Sequence, residues 1–339
     1  MKCRFVSLLI SALSIAGMVP AHSQIVLDWV TVGDPGNTAE TVSANSLGDV
    51  ATEYQIMKYE FTNSNYVAFL NAVDPTGSNT LSLYNANMHS QRQGGISLVA
   101  GNPDGSKYVT KTNMGSKPVN YVSWFDAARV ANYLMTGGTE NGAYTLNSST
   151  PSNAPALNAG ASVFIPSVDQ WVKAGFYKGG STDAGYWQYA TQENGDPTGT
   201  AATTTGDGTA GTSGNFGNFD SKAKWPSSDA NVTTVGTNGA PSAYGTFDIS
   251  GNVYEWNDLD ATAAVQKGIR GGDYSGNKNG LRMQVGALRN ATDEDYWIGF
   301  RLASIPEPSV ADLLTPLGVL SALAWFVGQR LRAAINHVG

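Results

Sequence analysis

The sequence predicts an α+β fold, rich in loops, with few and short helices and strands. Three observations lead there. Only three segments carry helical apolar spacing, and each opens on a hydroxyl or amide cap. The strand patterns are brief, the longest running from Tyr54 to Tyr59. Gly accounts for 39 of 339 residues, and Thr191 to Asn218 is a Gly/Thr/Ser/Asn-rich stretch without hydrophobic period, which reads as a long surface loop.

In chain order, the first element is a leader. Met1-Lys2-Cys3-Arg4 is basic, Phe5 to Val19 is apolar, and Ala21 and Ser23 are small residues suited to cleavage, which makes 1–23 a signal peptide. The apolar run is short for the alternative, a membrane anchor. Cys3 precedes the apolar run, so it is not a lipoprotein Cys. A strand follows at Tyr54–Tyr59, then a helix over Thr62–Val73, with Thr62 or Asn63 as cap and Tyr66, Val67, Phe69, Leu70 and Val73 on its apolar face. Ser123–Met135 is a helix with Ser123 as N-cap and Asp126 at N3, close to a capping box. Ser167–Phe176 repeats the arrangement with Ser167 and Gln170. Short strands are expected at Val163–Ile165 and Gly299–Leu302. Beyond Ile305, Val310 to Val327 is apolar apart from Asp312 and a few small residues, near the lower length limit for a membrane span. Arg330 and Arg332 follow, which would leave the C-terminus cytoplasmic and the body outside. No internal repeat or interdomain linker divides 24–304, so it is read as one domain between the leader and a C-terminal segment at 305–339.

Composition narrows the chemistry. Charged residues are 14% of the chain, against about 25% typically. There is one Cys, in the leader, and of three His only His89 lies in the body. That excludes Cys-ligated zinc, iron–sulfur clusters, disulfide frameworks, Cys–His nucleophiles and multi-His metal sites. Setting aside Lys2, Arg4, Arg330, Arg332, Glu307 and Asp312 leaves the body 16 cationic and 25 acidic residues, a net charge of −9. An acidic body suits no nucleic acid, but its oxygen ligands suit divalent cations, which can staple loops. No Gly-x-Ser-x-Gly elbow, P-loop or His-Glu-x-x-His occurs.

Six segments in order resemble the formylglycine-generating enzyme (sulfatase-modifying factor) domain family. They are Tyr54-Gln-Ile-Met-Lys-Tyr-Glu60-Phe-Thr62-Asn63, Lys117-Pro118-Val119-Asn120 through Trp124 to Asp126, Ile165-Pro166-Ser167 to Trp171, Tyr244 through Gly251-Asn252-Val253-Tyr254-Glu255-Trp256, Arg270-Gly271-Gly272-Asp273-Tyr274, and Gly299-Phe300-Arg301-Leu302. The resemblance covers about 45–303 and implies a C-type-lectin-like fold. Trp124 and Trp171 read as core anchors, and Arg301, in an apolar strand, as a buried cation with an acidic partner. The order Ile305-Pro306-Glu307-Pro308, apolar stretch, basic cluster resembles the PEP-CTERM sorting signal of Gram-negative bacteria. It implies processing by an exosortase and delivery to the cell surface or extracellular matrix; a plain single-pass anchor is the alternative.

The resemblance also implies calcium. The Gly251-Asn252 turn can aim carbonyls at one point and Glu255 can supply a carboxylate there. Carried over, the first site uses the carbonyls of Ser250, Gly251 and Val253 with the Glu255 side chain. The second falls on Asn218-Phe219 and Asp229-Ala230-Asn231, with Asn215-Phe216 nearly as good for its first half. The alternative is that Glu255 and Asn252 only bond nearby loop backbone. The family's two catalytic cysteines, which bind copper, would follow Tyr274 by two and seven residues; those positions hold Gly276 and Leu281. With no thiolate and one His, neither copper nor the iron of the related sulfoxide synthases is expected. The expected protein is therefore a secreted, surface-anchored binding module for peptide, glycan or matrix, its cleft lined by Tyr254, Trp256, Tyr274, Tyr296 and Trp297. A metal-dependent enzyme of the same superfamily with cysteine-free chemistry is the alternative. His89 reads as a surface residue in a polar loop, and Asp293-Glu294-Asp295 as a solvated loop or extra cation contact.

Overall fold

The helices start where the caps place them. In the computed structural model, which describes residues 25–42, 45–146, 153–259 and 263–305, α1 spans Asn63–Val73, α2 Asn87–Ser90, α3 Trp124–Thr136 and α4 Val168–Phe176. Thr62 Oγ1 accepts the Asn65 amide at 3.3 Å. Ser123 and Ser167 each close a full capping box, with Asp126 and Gln170 reaching back to the cap amide. α3 ends on Gly137 at φ +78°, a left-handed cap suited to glycine. The leader and everything past Ile305, including the PEP-CTERM-like segment and its apolar stretch, lie outside the described residues. Among the described residues no helix is long and apolar enough to cross a membrane.

Fourteen short strands occur among the described residues. They are β1 (Trp29–Val32), β2 (Glu40–Val42), β3 (Asn45–Leu47), β4 (Tyr54–Met57), β5 (Ile96–Leu98), β6 (Tyr108–Thr110), β7 (Val163–Phe164), β8 (Thr198–Gly199), β9 (Phe216–Gly217), β10 (Tyr254–Asn257), β11 (Gln266–Arg270), β12 (Gly286–Asn290), β13 (Ile298–Gly299) and β14 (Ala303–Ser304). Two four-stranded sheets form, ordered β1-β4-β14-β7 and β12-β11-β10-β13, with three two-stranded ribbons. In the first sheet the earliest strand and the last both pair antiparallel with β4, Trp29 opposite Met57 and Ala303 opposite Ile56. Short helices, two small sheets and long ordered loops make this the α+β, C-type-lectin-like architecture expected.

The main core gathers Tyr54, Ile56, Phe61, Phe69, Trp124, Trp256, Phe300 and Leu302 between the first sheet and α1 and α3. Phe61 stacks on Phe300 with centroids 4.8 Å apart. A second cluster joins Trp171 and Phe176 of α4 to Ile249 and Tyr177.

Two expectations change. The single strand Gly299–Leu302 is instead two strands in different sheets, β13 parallel to β10 and β14 antiparallel to β4. The chain switches sheets through Phe300, Arg301 and Leu302, whose carbonyls at 300 and 302 still accept from Phe61 and Met57. The stretch 191–218 is less of a surface loop than its composition suggests. It contains the parallel pair β8–β9, Thr200 and Asn218 are buried, and Trp225 occupies the space where Gly206 would carry a Cβ.

Candidate functional site

The loop Asp248 to Glu255 leads into β10 and sits where the two sheets meet. Its sharp turn depends on Gly251, at φ +110°, where a Cβ would lie 2.6 Å from the Asn218 carbonyl oxygen. Asn252, also left-handed at φ +67°, works as a clamp. Its Oδ1 accepts the Thr233 amide at 2.9 Å and Asn218 Nδ2 at 3.1 Å. Its Nδ2 donates to Glu60 Oε2 at 2.6 Å.

Arg301, at the sheet switch, is fully buried against Glu255. Nε donates to Glu255 Oε2 at 2.6 Å and an Nη to Oε1 at 2.7 Å, a bidentate fork. Its other donors go to the carbonyls of Met57, Lys58 and Phe247. Trp171 Nε1 donates to Glu255 Oε2 at 2.9 Å. Burial opposes the guanidinium charge, but Glu255, with Glu60 and Asp248 adding to it, holds the group above its ordinary pKa. Two further buried carboxyls, Glu60 and Asp248, lie close enough to feel the same charges. Burial pushes Glu60 well above the carboxylate range, with Asp248 and Glu255 adding to the push. Asp248 is raised by burial too, although Gly236 N and Asn238 Nδ2 donate to it. Both acids stand inside motifs quoted above, each flanked by apolar residues on both sides, which was the available signal for burial.

These positions bear on the expected cations. At the first site Ser250, Gly251 and Val253 do surround the turn, but the Glu255 carboxylate is engaged through both oxygens with Arg301 and Trp171. A guanidinium thus stands where a metal charge was expected, and this residue set does not fit calcium. At the second, Asn218 is buried, and its Oδ1 has no hydrogen-bond partner. Its Nδ2 bonds the Asn231 carbonyl at 3.0 Å, and Phe219 follows it into a small cluster with Tyr189 and Leu281. Asp229 does not join them: its carboxylate is exposed and paired with Arg92. Asn231 Oδ1 accepts the neighbouring Val232 amide. One orphaned oxygen there fits a hard cation, with no carboxylate among the expected ligands beside it. Among the described residues no group of three or more His, Cys, Asp or Glu is arranged to hold a metal ion.

The aromatic residues divide. Trp256 is not in a cleft; it is buried in the main core with its Nε1 bonded to the Val122 carbonyl at 3.0 Å. The others form two neighbouring pairs, Tyr254 edge-on to Trp297 at 5.4 Å and Tyr274 against Tyr296 at 6.3 Å. Arg289 lies over the Trp297 ring at 5.2 Å. Tyr296 is 40% exposed. The Tyr274 hydroxyl is buried without a partner, and burial, then Asp273, raise its pKa. Beside it, burial and Asp295 push Tyr121 up to about 12. The acidic run is half-buried and bonded to its surroundings more than it is a solvated loop. Asp293 accepts the Asn290 amide, Glu294 accepts Asn85 Nδ2 at 2.5 Å, and the Asp295 carbonyl accepts the Tyr121 amide. His89 is exposed, as expected, on the short α2, with Nδ1 2.8 Å from Ser97 Oγ.

Residues 30–305 match the family described as sulfatase-modifying factor enzyme 1-like domain. The chain belongs to this family. Solved structures similar in fold include Treponema denticola variable protein 1, at 18% identity over 82% of this chain and 95% of that one, TM-score 0.48. CarF aligns at 19% identity over 84% of this chain and all of its own (100%), TM-score 0.47. PvdO from Pseudomonas aeruginosa aligns at 18% identity over 83% and 92%, TM-score 0.42. No curated protein matches the chain.

Within this sulfatase-modifying factor domain, the two positions of the resembled cysteines carry no sulfur. Gly276 follows a turn in which Asp273 Oδ1 accepts the amides of Ser275 and Gly276 at 2.8 and 3.1 Å. Leu281, at the end of a short 3-10 turn over Lys278–Leu281, is fully buried beside Phe219 and Tyr189. Neither position offers a soft ligand or an electron pair for a two-electron thiol oxidation.

Proposed function

We propose that this member of the family is an exported, surface-anchored binding module without formylglycine-generating activity. The reading rests on one observation above the rest: Gly276 and Leu281 occupy the positions of the catalytic cysteines, and Leu281 is packed into the core. The ligand face is the aromatic pair of pairs, with Tyr296 and Trp297 as platform and Arg289, Asp273 and Asp295 around it. Rings with polar neighbours suit a glycan or a peptide of the surface or matrix. The leader and the Pro306-Glu307-Pro308 segment support export and processing by an exosortase.

The decisive assay incubates the purified chain with a sulfatase-type Cys peptide, copper and oxygen. No formylglycine should appear, and the chain should carry no copper after dialysis; conversion at one copper per chain sinks the proposal. Calcium enters at one place only, the Asn218 oxygen with the Phe219 carbonyl. Adding calcium to chelator-treated protein should then raise its melting temperature, and an unchanged melting curve removes calcium from the protein.

A further inference from the structure

We infer that the body of this chain rests on a zwitterionic phospholipid surface through an apolar groove formed by its first described residues. The inference depends on the anchored reading above.

The groove has a volume of about 400 Å³ and is lined by Ile25, Val26, Leu27, Trp29, Leu134 and Val163, all apolar. Val26 is 68% exposed and Ile305 55% exposed, two of the most exposed large apolar side chains among the described residues. Isolated apolar side chains on a surface need no explanation, but these flank one sheet at its rim.

What covers the groove follows from where the chain leaves the fold. Ser304 pairs with Val163, a groove residue, and the Ile305 amide donates to the Ser162 carbonyl at 3.0 Å. The apolar stretch begins at Val310, five residues past Ile305. Five residues reach about 17 Å even when fully extended. With Val310 to Val327 in a bilayer, the rim of the first sheet cannot stand farther than that from the hydrocarbon, and the side of the body nearest the lipid is the one that presents the groove. Charge selects the lipid. Asp28 is exposed beside the groove, and the body is acidic as a whole, so an anionic surface repels it while the cationic end of a choline or ethanolamine headgroup does not.

The chain's single Cys lies in the leader, so the processed chain 24–339 has no thiol of its own and the test is direct. That processed chain is given either Val26→Cys or Leu288→Cys, labelled with an environment-sensitive fluorophore, and reconstituted into phosphatidylcholine vesicles with brominated acyl chains. Leu288 is the control, half exposed on the edge strand of the second sheet. The expected result is blue-shifted emission at position 26 and bromine quenching several-fold stronger than at 288. A chain that floats with the vesicles but shows equal, weak quenching at both positions overturns the docking inference alone. A chain that fails to float overturns the anchored reading and the inference with it.

Discussion

Arg301 and Glu255 show how far single residues can be read and where reading stops. The sequence marked Arg301 as a buried cation in need of an acid, and marked Glu255 as a carboxylate in need of a cation. It did not join them, because 46 residues separate them and their meeting depends on the chain changing sheets between β13 and β14, which no local pattern records. The pair is fully desolvated, so breaking it from one side leaves an uncompensated charge. Arg301→Met should destabilise the protein by about 3–5 kcal/mol in urea denaturation, and Glu255→Gln added to it should recover part of that loss. A double variant less destabilised than Arg301→Met alone is the outcome to look for; a double loss equal to the sum of the two single losses would mean the pair is not coupled. Gly251 was legible as a turn residue and its necessity is steric. Gly251→Ala at φ +110° against the Asn218 carbonyl should cost about 1–3 kcal/mol, measurable as a lower unfolding midpoint.

Elements were legible where the determinant lies within four residues. The caps at Thr62, Ser123 and Ser167 all formed, because a hydroxyl oxygen three residues before the amide that donates to it is a local arrangement. Ser167→Ala should therefore lower stability by about 1 kcal/mol. Strand ends and the 191–218 stretch were not legible, since β8 and β9 exist only through each other. The capping box of α3 carries a further consequence. Asp126 is buried, and its carboxyl is pushed up to about 8, chiefly by burial and then by Glu294. Its folded pKa thus exceeds its unfolded value near 4. The folded protein binds the extra proton between these values, so this group's contribution is whole below about pH 4 and is lost as pH rises to about 8. Glu60 and Asp248 shift in the same direction. Stability should decline from pH 4 to pH 8, and Asp126→Asn should flatten that decline; an unchanged slope in thermal melts across this range would remove Asp126 from the account.

At the scale of the whole molecule, the family was legible because its motifs are the points at which loops cross. Glu60, Asn252, Glu255 and Arg301 come from three separate motifs and meet as two hydrogen-bonded pairs whose charges act on each other. The proposed ligand face was half legible. Tyr254, Tyr274, Tyr296 and Trp297 do assemble, whereas Trp256, two residues beyond Tyr254 on the same face of β10, lies deeper in the main core. If the chain is the binding module proposed above, Tyr296→Ala, at an exposed position, should abolish retention on its glycan or peptide while leaving the melting temperature within about a degree, since surface changes move stability little. One feature reaches into biogenesis. Because β14 sits between β4 and β7, the first sheet stays split until residues 303 and 304 have been made, some 250 positions after the strand they join. Contacts of that span form slowly, and a ribosome adding about 5–20 residues per second hands over a chain still missing its keystone. A polypeptide kept open until residue 304 is synthesised is one that the export channel proposed above could thread before it folds.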